Sequence, residues 1–302
     1  MTNRSDCRIE WFLDSLHRET DGNYEDIKLL VIDYFAEEEG RTESFLPLFY
    51  CPVTHVAPKP NPWQGKHRLT KQNYFAAANA RNTALCHAPD GYIAYVDDLS
   101  VLLPGWLAGV RRAIDGNYIV LGSYYKVHNL TVTAGEVVSY TPHSLGIDSR
   151  IATATKIIPD INTLVPAGGS WMFGCSLALP VESLLTINGW DEDCDSMGFE
   201  DCICGLMLEK QGYRFFYDRR MVTYESEELH FVEPPFIRII KPYPGEIDSS
   251  HVMLNMTMRN RHKAPNYADM RAVRTRILAG GPWPAGVNPQ HDWRDKQPLK
   301  EM

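Results

Sequence analysis

The sequence predicts an α/β fold in which helices alternate with strands around an open sheet. Three stretches point to it. Near the amino end, an amphipathic pattern over residues 8–19 is followed by turn chemistry at Asp21-Gly22-Asn23 and a strongly apolar run over residues 27–34, the latter part of a strand–helix–strand unit. In the middle, GYIAYVDDLSVLLPGWL (residues 91–107) opens with a β-favouring run at Tyr92–Val96 and ends in a Pro-Gly-Trp turn into a helix. Further on, PAGGSWMFGCSLALPVESLLTINGWDE (residues 166–192) runs from a glycine-rich loop through a short strand to a helix beginning at Pro180 and stopped by Asn188-Gly189.

The elements follow in order. Ile9, Trp11, Phe12 and Leu16 share one face of the first helix, and Asp33 stands near the end of the strand after it. Residues 36–70 read as irregular, acidic at first, with a short strand near residues 45–50 and then the proline-rich crossing APKPNPWQGKHRLT. The alanine content and apolar spacing of residues 72–87 predict a helix. Another strand is expected over residues 118–125, and hairpins or a substrate-covering insertion over 126–165. An acidic loop leads to Gly198-Phe199-Glu200-Asp201, a helix over 202–211 closed by Gly212, and a strand over 213–217. Residues 267–278 read as a helix stopped by Gly280-Gly281, and the remainder as an arm or disordered tail.

At 302 residues the chain can hold one large domain or a domain with an extension, and the change in character after Leu229 and His230 divides it into 1–230 and 231–302. The net charge of −8 argues against a protein that coats nucleic acid. No apolar run is long enough to span a membrane, and the amino end lacks the apolar core of a signal peptide. Seven cysteines without framework spacing suggest free thiols in a reducing compartment, hence a cytoplasmic protein; Cys202-x-Cys204 reads as structural. The basic segment 256–276 fits a solvated face, or contact with an anionic acceptor or membrane surface.

The chemistry centres on carboxylates at strand ends. Asp97 and Asp98 sit side by side at the carboxyl end of a strand, the edge where open α/β sheets bind ligands. Adjacent carboxylates repel, so a cation or a network of donors must stabilise them. A hard divalent ion carrying phosphates is one partner; a plain strand end with a cap is the alternative. Asp33 and the pair Glu200-Asp201 complete a set of three acidic sites in chain order.

Two blocks around these acids carry a resemblance. ANARNTALCHAPDGYIAYVDDLSVLLPGWL resembles the middle of the nucleotide-sugar domain of family 2 glycosyltransferases, where an Ala-Arg-Asn helix precedes a strand ending in the acidic DxD-type motif. NGWDEDCDSMGFEDCICGLMLEKQG resembles the acceptor segment of the same superfamily, and together the match covers roughly residues 8–35 and 75–230. The resemblance implies a GT-A fold, Rossmann-like, with a mostly parallel sheet and helices on both faces. It implies inverting transfer of a sugar from a nucleotide-sugar donor, UDP-sugar favoured, to a glycan, lipid-linked or other hydroxyl acceptor, with Mn2+ or Mg2+ as cofactor.

Carried over by position, Asp33 would contact the nucleobase, and Arg81 and Asn82 would lie near the donor diphosphate. Asp97 would reach the ribose or the ion through water, and Asp98 would ligate the metal, with Leu99 standing where a further acid is common. His230 would supply a further metal ligand, with His251 in reserve. Asp201 would be the general base and Glu200 would hold the acceptor, in a cleft formed with Trp171, Trp190 and Asp191. Relatives normally begin with an apolar strand ahead of the first helix, and here Thr2-Asn3-Arg4 stands where that strand would exit. Two rivals stay open: a nucleotidyltransferase of similar fold, and a GT-A-like carbohydrate-binding protein without catalysis.

Overall fold

A computed structural model describes residues 1–61, 63–64, 73–195, 198–227, 238–241 and 269–284 of the chain. Helix α1 (Ile9–Thr20) and strand β1 (Leu29–Ile32) lie where the apolar pattern puts them. Leu13 and Leu16 are buried on the inner side of α1, and Asp21, in the left-handed conformation, ends the helix. The strand expected near residues 45–50 is absent. Helix α2 (Arg41–Phe45) and a 3-10 turn (Leu46–Leu48) occupy that place, and the strand comes later as β2 (Val53–Val56). Pro47 offers no N–H to a ladder, whereas β2 is rich in β-branched residues and pairs in parallel with β1, Leu29 opposite Val53.

Helix α3 (Ala77–His87) is buried on nearly every side, from Ala78 to Cys86. It carries no side-chain cap of its own. Asp195 reaches it from far along the chain, accepting from the N–H of Ala78 (2.7 Å) and of Asn79 (3.2 Å), which satisfies donors that a helix start leaves open. Strands β3 (Tyr92–Val96) and β4 (Ser100–Leu102) lead to α4 (Trp106–Gly116), entered through Gly105 at φ 95°. The Glu19 carboxylate caps that entry, accepting from Gly105 N (3.0 Å) and Leu107 N (2.9 Å).

Strands β5 (Ile119–Thr133) and β6 (Glu136–Ile147) form a long hairpin turned at Ala134 and Gly135, both at positive φ. Then come α5 (Arg150–Ile157), β7 (Val165–Ala167), β8 (Ser176–Pro180), α6 (Val181–Thr186), α7 (Glu200–Lys210), β9 (Phe215–Ser226) and α8 (Met270–Leu278). A seven-stranded sheet runs β3-β8-β5-β9-β4, with β6 beside β5 and β7 beside β9, while β1 and β2 form a separate pair. The α/β class is as expected, but the sheet is mixed rather than mostly parallel. Only β5–β9 and β1–β2 are parallel; the β3–β8, β5–β8, β4–β9, β5–β6 and β7–β9 ladders are antiparallel. For β5 and β6 the two-residue connection leaves no other choice.

Helices cover both faces of this sheet. Ile119 and Leu121 of β5 join the core cluster with α3, α6 and α7, while Val120, pointing the other way, packs with Leu16, Trp106 and Val110 of α1 and α4. The described parts of the 231–302 segment pack back onto the rest. Met270 and Val273 enter the main core. Arg274 donates to the Ala88 carbonyl (2.8 Å), and Ile240 N donates to the Asn3 carbonyl (2.9 Å). The seven cysteines form no disulfide, Cys202 and Cys204 both being buried in the core. Among the described residues no helix is long and apolar enough to cross a membrane.

The cap from Asp195 gives a direct expectation. Asp195→Ala should lower the unfolding free energy by about 1–2 kcal/mol, read from urea denaturation, and Asp195→Asn should recover most of it. An unchanged midpoint in the alanine variant would contradict the capping role.

Candidate active site

Helix α3 carries Arg81 to the carboxyl end of β3, where the residue is 4% exposed. One Nη donates to a Glu200 carboxylate oxygen, and the guanidinium carbon lies 4.8 Å from the centre of the Trp190 ring. Burial on its own would loosen the Arg81 proton, but Glu200, Asp97 and Asp201 outweigh it and hold the charge more firmly than usual. Gly174 makes room for this group, since a Cβ there would collide with Arg81 Nη2.

Glu200 and Asp201 occupy the first turn of α7, where the helix dipole favours negative charge. Asp201 accepts from Cys202 N (2.7 Å) and from Gly174 N (3.1 Å). Its pKa is nevertheless raised from 3.8 to about 6, because burial and the neighbouring Glu200 charge outweigh Arg81 and the two N–H donors. The loop bearing Gly174 is held against α7 by a close backbone approach: a Cβ on Gly169 or on Gly205 would collide with the carbonyl of the other.

The same loop is tied to the sheet by a buried network that no sequence motif signalled. Arg150 pairs with Asp148 (2.7 Å) and donates to the carbonyls of Trp171 (2.5 Å) and Gly122 (2.7 Å). Tyr217 donates to Asp148 (2.8 Å) and receives the Ser123 hydroxyl (2.8 Å). Every carboxylate and guanidinium here has partners, so the network supports position rather than reaction.

Several sequence-predicted residues take other parts. Asp98, expected to ligate metal, is clamped by Arg4 Nη1 (2.6 and 2.7 Å) and the Thr2 hydroxyl (2.8 Å). Arg4 is itself buried and needs that counter-charge. Asp97 is the open member of the pair: it is half-buried, faces Arg81, and accepts no hydrogen bond among the described residues. Leu99 stands at φ 59° and 1% exposure, so a further acid at that position would be buried in the core.

Asp33, expected at the nucleobase, is fully buried and already saturated. It accepts from Phe35 N (2.9 Å), Arg41 Nε (2.7 Å) and His55 Nε2 (3.1 Å). Burial pushes its pKa up, but these donors win and hold it below the usual carboxylate range. Asn82, expected near the donor, has its amide engaged by Trp190 N and O (2.8 Å each) and by Glu192 (2.7 Å). Glu192 also receives Lys59 Nζ (2.7 Å). Trp190 is 0% exposed and packs edge-on against Tyr95, so it backs Arg81 instead of offering a face to a sugar. Trp171 is half-buried, edge-on to Tyr217 at 5.7 Å between centroids, and Asp191 is buried beside Trp190.

His230 and His251 lie outside the described residues. Among the described residues no group of three or more His, Cys, Asp or Glu side chains could hold a metal ion. Asp97 offers a single hard oxygen donor group. That fits a divalent ion drawing most of its ligands from a diphosphate and water.

The sequence matches no described protein family, and no curated protein matches it. Solved structures do. The crystal structure of S. aureus TarS 1–349 aligns over 92% of this chain and 67% of that one, at 14% identity and a TM-score of 0.50. GalNAc-T7 with UDP, GalNAc and Mn2+ aligns over 76% of this chain and 42% of that one, at 12% identity and a TM-score of 0.49. The mannosyltransferase PcManGT from Pyrobaculum calidifontis, in complex with GDP-Man and Mn2+, aligns over 92% and 73%, at 15% identity and a TM-score of 0.41. This chain thus spans less than half of the GalNAc-T7 chain, and the likeness to TarS is one of fold, the GT-A type of α/β domain.

Because the folded state holds the Asp201 proton more tightly than the unfolded chain, it binds more protons between pH about 4 and about 6. This group's contribution to stability is therefore greatest below that window and is lost as pH rises through it. Urea denaturation across pH 4–7 should show the parent protein losing stability with rising pH relative to Asp201→Asn. Parallel profiles for the two proteins would contradict the raised pKa.

Proposed function

We propose that this chain is an inverting, divalent-metal-dependent glycosyltransferase that moves a sugar from a nucleotide-sugar donor to an acceptor hydroxyl. The observation that carries the reading is the cluster of Asp97, Glu200 and Asp201 around buried Arg81, at the meeting of β3 and α7. The fold is consistent with it.

Asp201 is the base. A carboxylate with a pKa of about 6 is ionised near neutrality, yet is a better proton acceptor than an ordinary aspartate. It takes the acceptor hydroxyl proton as that oxygen attacks the anomeric carbon from the face opposite the leaving diphosphate. Glu200, held by Arg81, orients the acceptor and keeps the Asp201 pKa high. Asp97 is the residue that would hold Mn2+ or Mg2+, with His230 the proposed further ligand. The ion, when bound, supplies positive charge where the diphosphate gains negative charge. Arg81 acts by orienting Glu200 and setting the local charge. Asp33, Asn82 and Trp190 support the site from behind.

A UDP-sugar is the favoured donor, and a glycan or lipid-linked acceptor the favoured partner. Membrane contact through the 256–276 segment has weaker support. There Arg271 pairs with Glu182 (2.5 Å) and Arg274 with Asp90 (2.8 Å), so these cations already have partners within the chain.

The test is release of nucleotide from a panel of UDP-, GDP- and dTDP-sugars with Mn2+. Turnover of one donor is expected. Asp201→Asn should reduce it by roughly 10²–10⁴-fold with donor affinity nearly unchanged, and Asp97→Asn should abolish the metal-dependent part of donor binding. Asp98→Asn should instead lower thermal stability. No turnover and no metal-dependent thermal shift with any donor would refute the enzyme reading and favour a carbohydrate-binding protein. Transfer of the nucleotide itself would favour a nucleotidyltransferase.

A further inference from the structure

Strand β6 is exposed along most of its length and, among the described residues, pairs with β5 alone. From Val137 to Ile147 it carries no Asp, Glu, Lys or Arg, although solvent-facing edge strands commonly hold charge. Three tyrosines meet on the strands around it. Tyr125 of β5 stands beside Tyr224 of β9 in the parallel ladder, with ring centroids 5.3 Å apart. Tyr140 of β6 meets Tyr224 edge-on at 4.9 Å. Ile147 lies opposite Tyr125 in the β5–β6 ladder and so shares its face. The cluster crosses three strands, about 10 Å.

These side chains stand outside the core clusters described above. Tyr140 is 42% and Ile147 47% exposed, and Tyr125 and Tyr224 are half-buried. The Tyr224 hydroxyl donates to the Tyr140 oxygen (3.3 Å), so the Tyr140 proton is directed elsewhere and the pair offers a donor and an acceptor to a ligand. Aromatic rings with hydroxyl tips match the chemistry of sugars, whose C–H faces are apolar and whose rims carry hydroxyls. Nucleic acid is disfavoured, because the cluster holds no cation to meet phosphates and the chain carries a net charge of −8. The location fits as well. Ser226, two residues past Tyr224 on β9, donates to the Leu99 carbonyl (3.2 Å), next to Asp98. The cluster therefore begins about 7 Å along β9 from the Asp97–Asp98 corner.

We propose that Tyr125, Tyr140, Tyr224 and Ile147 form a saccharide subsite that stacks the outer rings of an extended, uncharged glycan acceptor. As an acceptor subsite it rests on the sugar-transfer reading; as a saccharide site it rests on the cluster alone. The ligand is extended because the cluster spans three strands and lies apart from the candidate base. It is uncharged because the four side chains bring no ionised group to meet a charge on the ligand. The rings supply contact area at little cost in side-chain freedom, and the paired hydroxyls orient the sugar.

The full chain is titrated with cellohexaose, maltohexaose and chitohexaose, and with glucose and N-acetylglucosamine, read by saturation-transfer NMR. At least one hexasaccharide should bind, and its monosaccharide should bind more weakly by about tenfold or more. Tyr140→Ala should weaken the hexasaccharide about tenfold, whereas Tyr140→Phe, which keeps the ring, should retain most of the affinity. No binding of any hexasaccharide would overturn the proposal, and so would equal affinity in the parent and Tyr140→Ala. A dimer in solution that Tyr140→Ala dissociates, or binding to phosphatidylcholine vesicles that it abolishes, would overturn it too, by giving this face to another occupant. Donor turnover by the parent protein is measured separately. Tyr140-dependent glycan binding without turnover of any donor would uphold the saccharide site while the sugar-transfer reading fails.

Discussion

A buried guanidinium organises this molecule. Arg81 has left water on a helix whose other residues are mostly small and buried, and an uncompensated charge in that position would be prohibitively costly. Breaking such a pair from one side typically costs about 3–5 kcal/mol. The chain answers with contributions from four separate segments. Glu200 supplies the counter-charge, Trp190 an aromatic face, Gly174 the vacant volume, and Asp195 the cap that holds the helix carrying Arg81. Each contact that stabilises Arg81 also places a group around one small region at the ends of β3 and α7. The demands of folding and the geometry of the candidate site therefore coincide.

The charges there are divided between cations of the chain itself. Arg4 takes Asp98, Arg41 takes Asp33, and Arg81 takes Glu200. Those three carboxylates are tied into ion pairs. What is left is Asp97, which accepts no hydrogen bond among the described residues, and Asp201, whose two N–H donors do not offset its burial and the nearby Glu200 charge. The adjacent acids Asp97 and Asp98 thus stand in different surroundings, one without a hydrogen bond among the described residues and one locked by Arg4 and Thr2. The split depends on which arginine lies near each, and nothing in the dipeptide itself announces it.

Local pattern made much of the fold legible. Apolar runs placed β1, β3 and β8, the Pro-Gly-Trp turn placed α4, and Asn188-Gly189 marked the end of α6 because both residues stand at positive φ. Pattern failed where distant partners decide. Asp98 meets Arg4 across 94 residues, Asn82 meets Glu192 across 110, and Asp195 caps α3 at Ala78, 117 residues earlier. Trp190 reads from the sequence as part of an acceptor cleft, and only the structure shows that Tyr95 and Arg81 enclose it. The Asp148–Arg150–Tyr217 network has no recognisable spacing, because its members are brought together only by the sheet. Outside the hairpin region at 126–165, the antiparallel ladders have no local signature for the same reason: strand direction depends on connections that apolar periodicity does not encode.

The most direct test of this account is a carboxyl-carbon NMR titration of Asp201 in the parent protein, in Arg81→Lys and in Arg81→Gln. If Arg81 sets the charge of the cluster, Asp201 titrates near pH 6 in the parent, stays close to that with lysine, and moves clearly higher with glutamine. An Asp201 titration in the glutamine variant that is unchanged or lower would show that Arg81 does not govern the site.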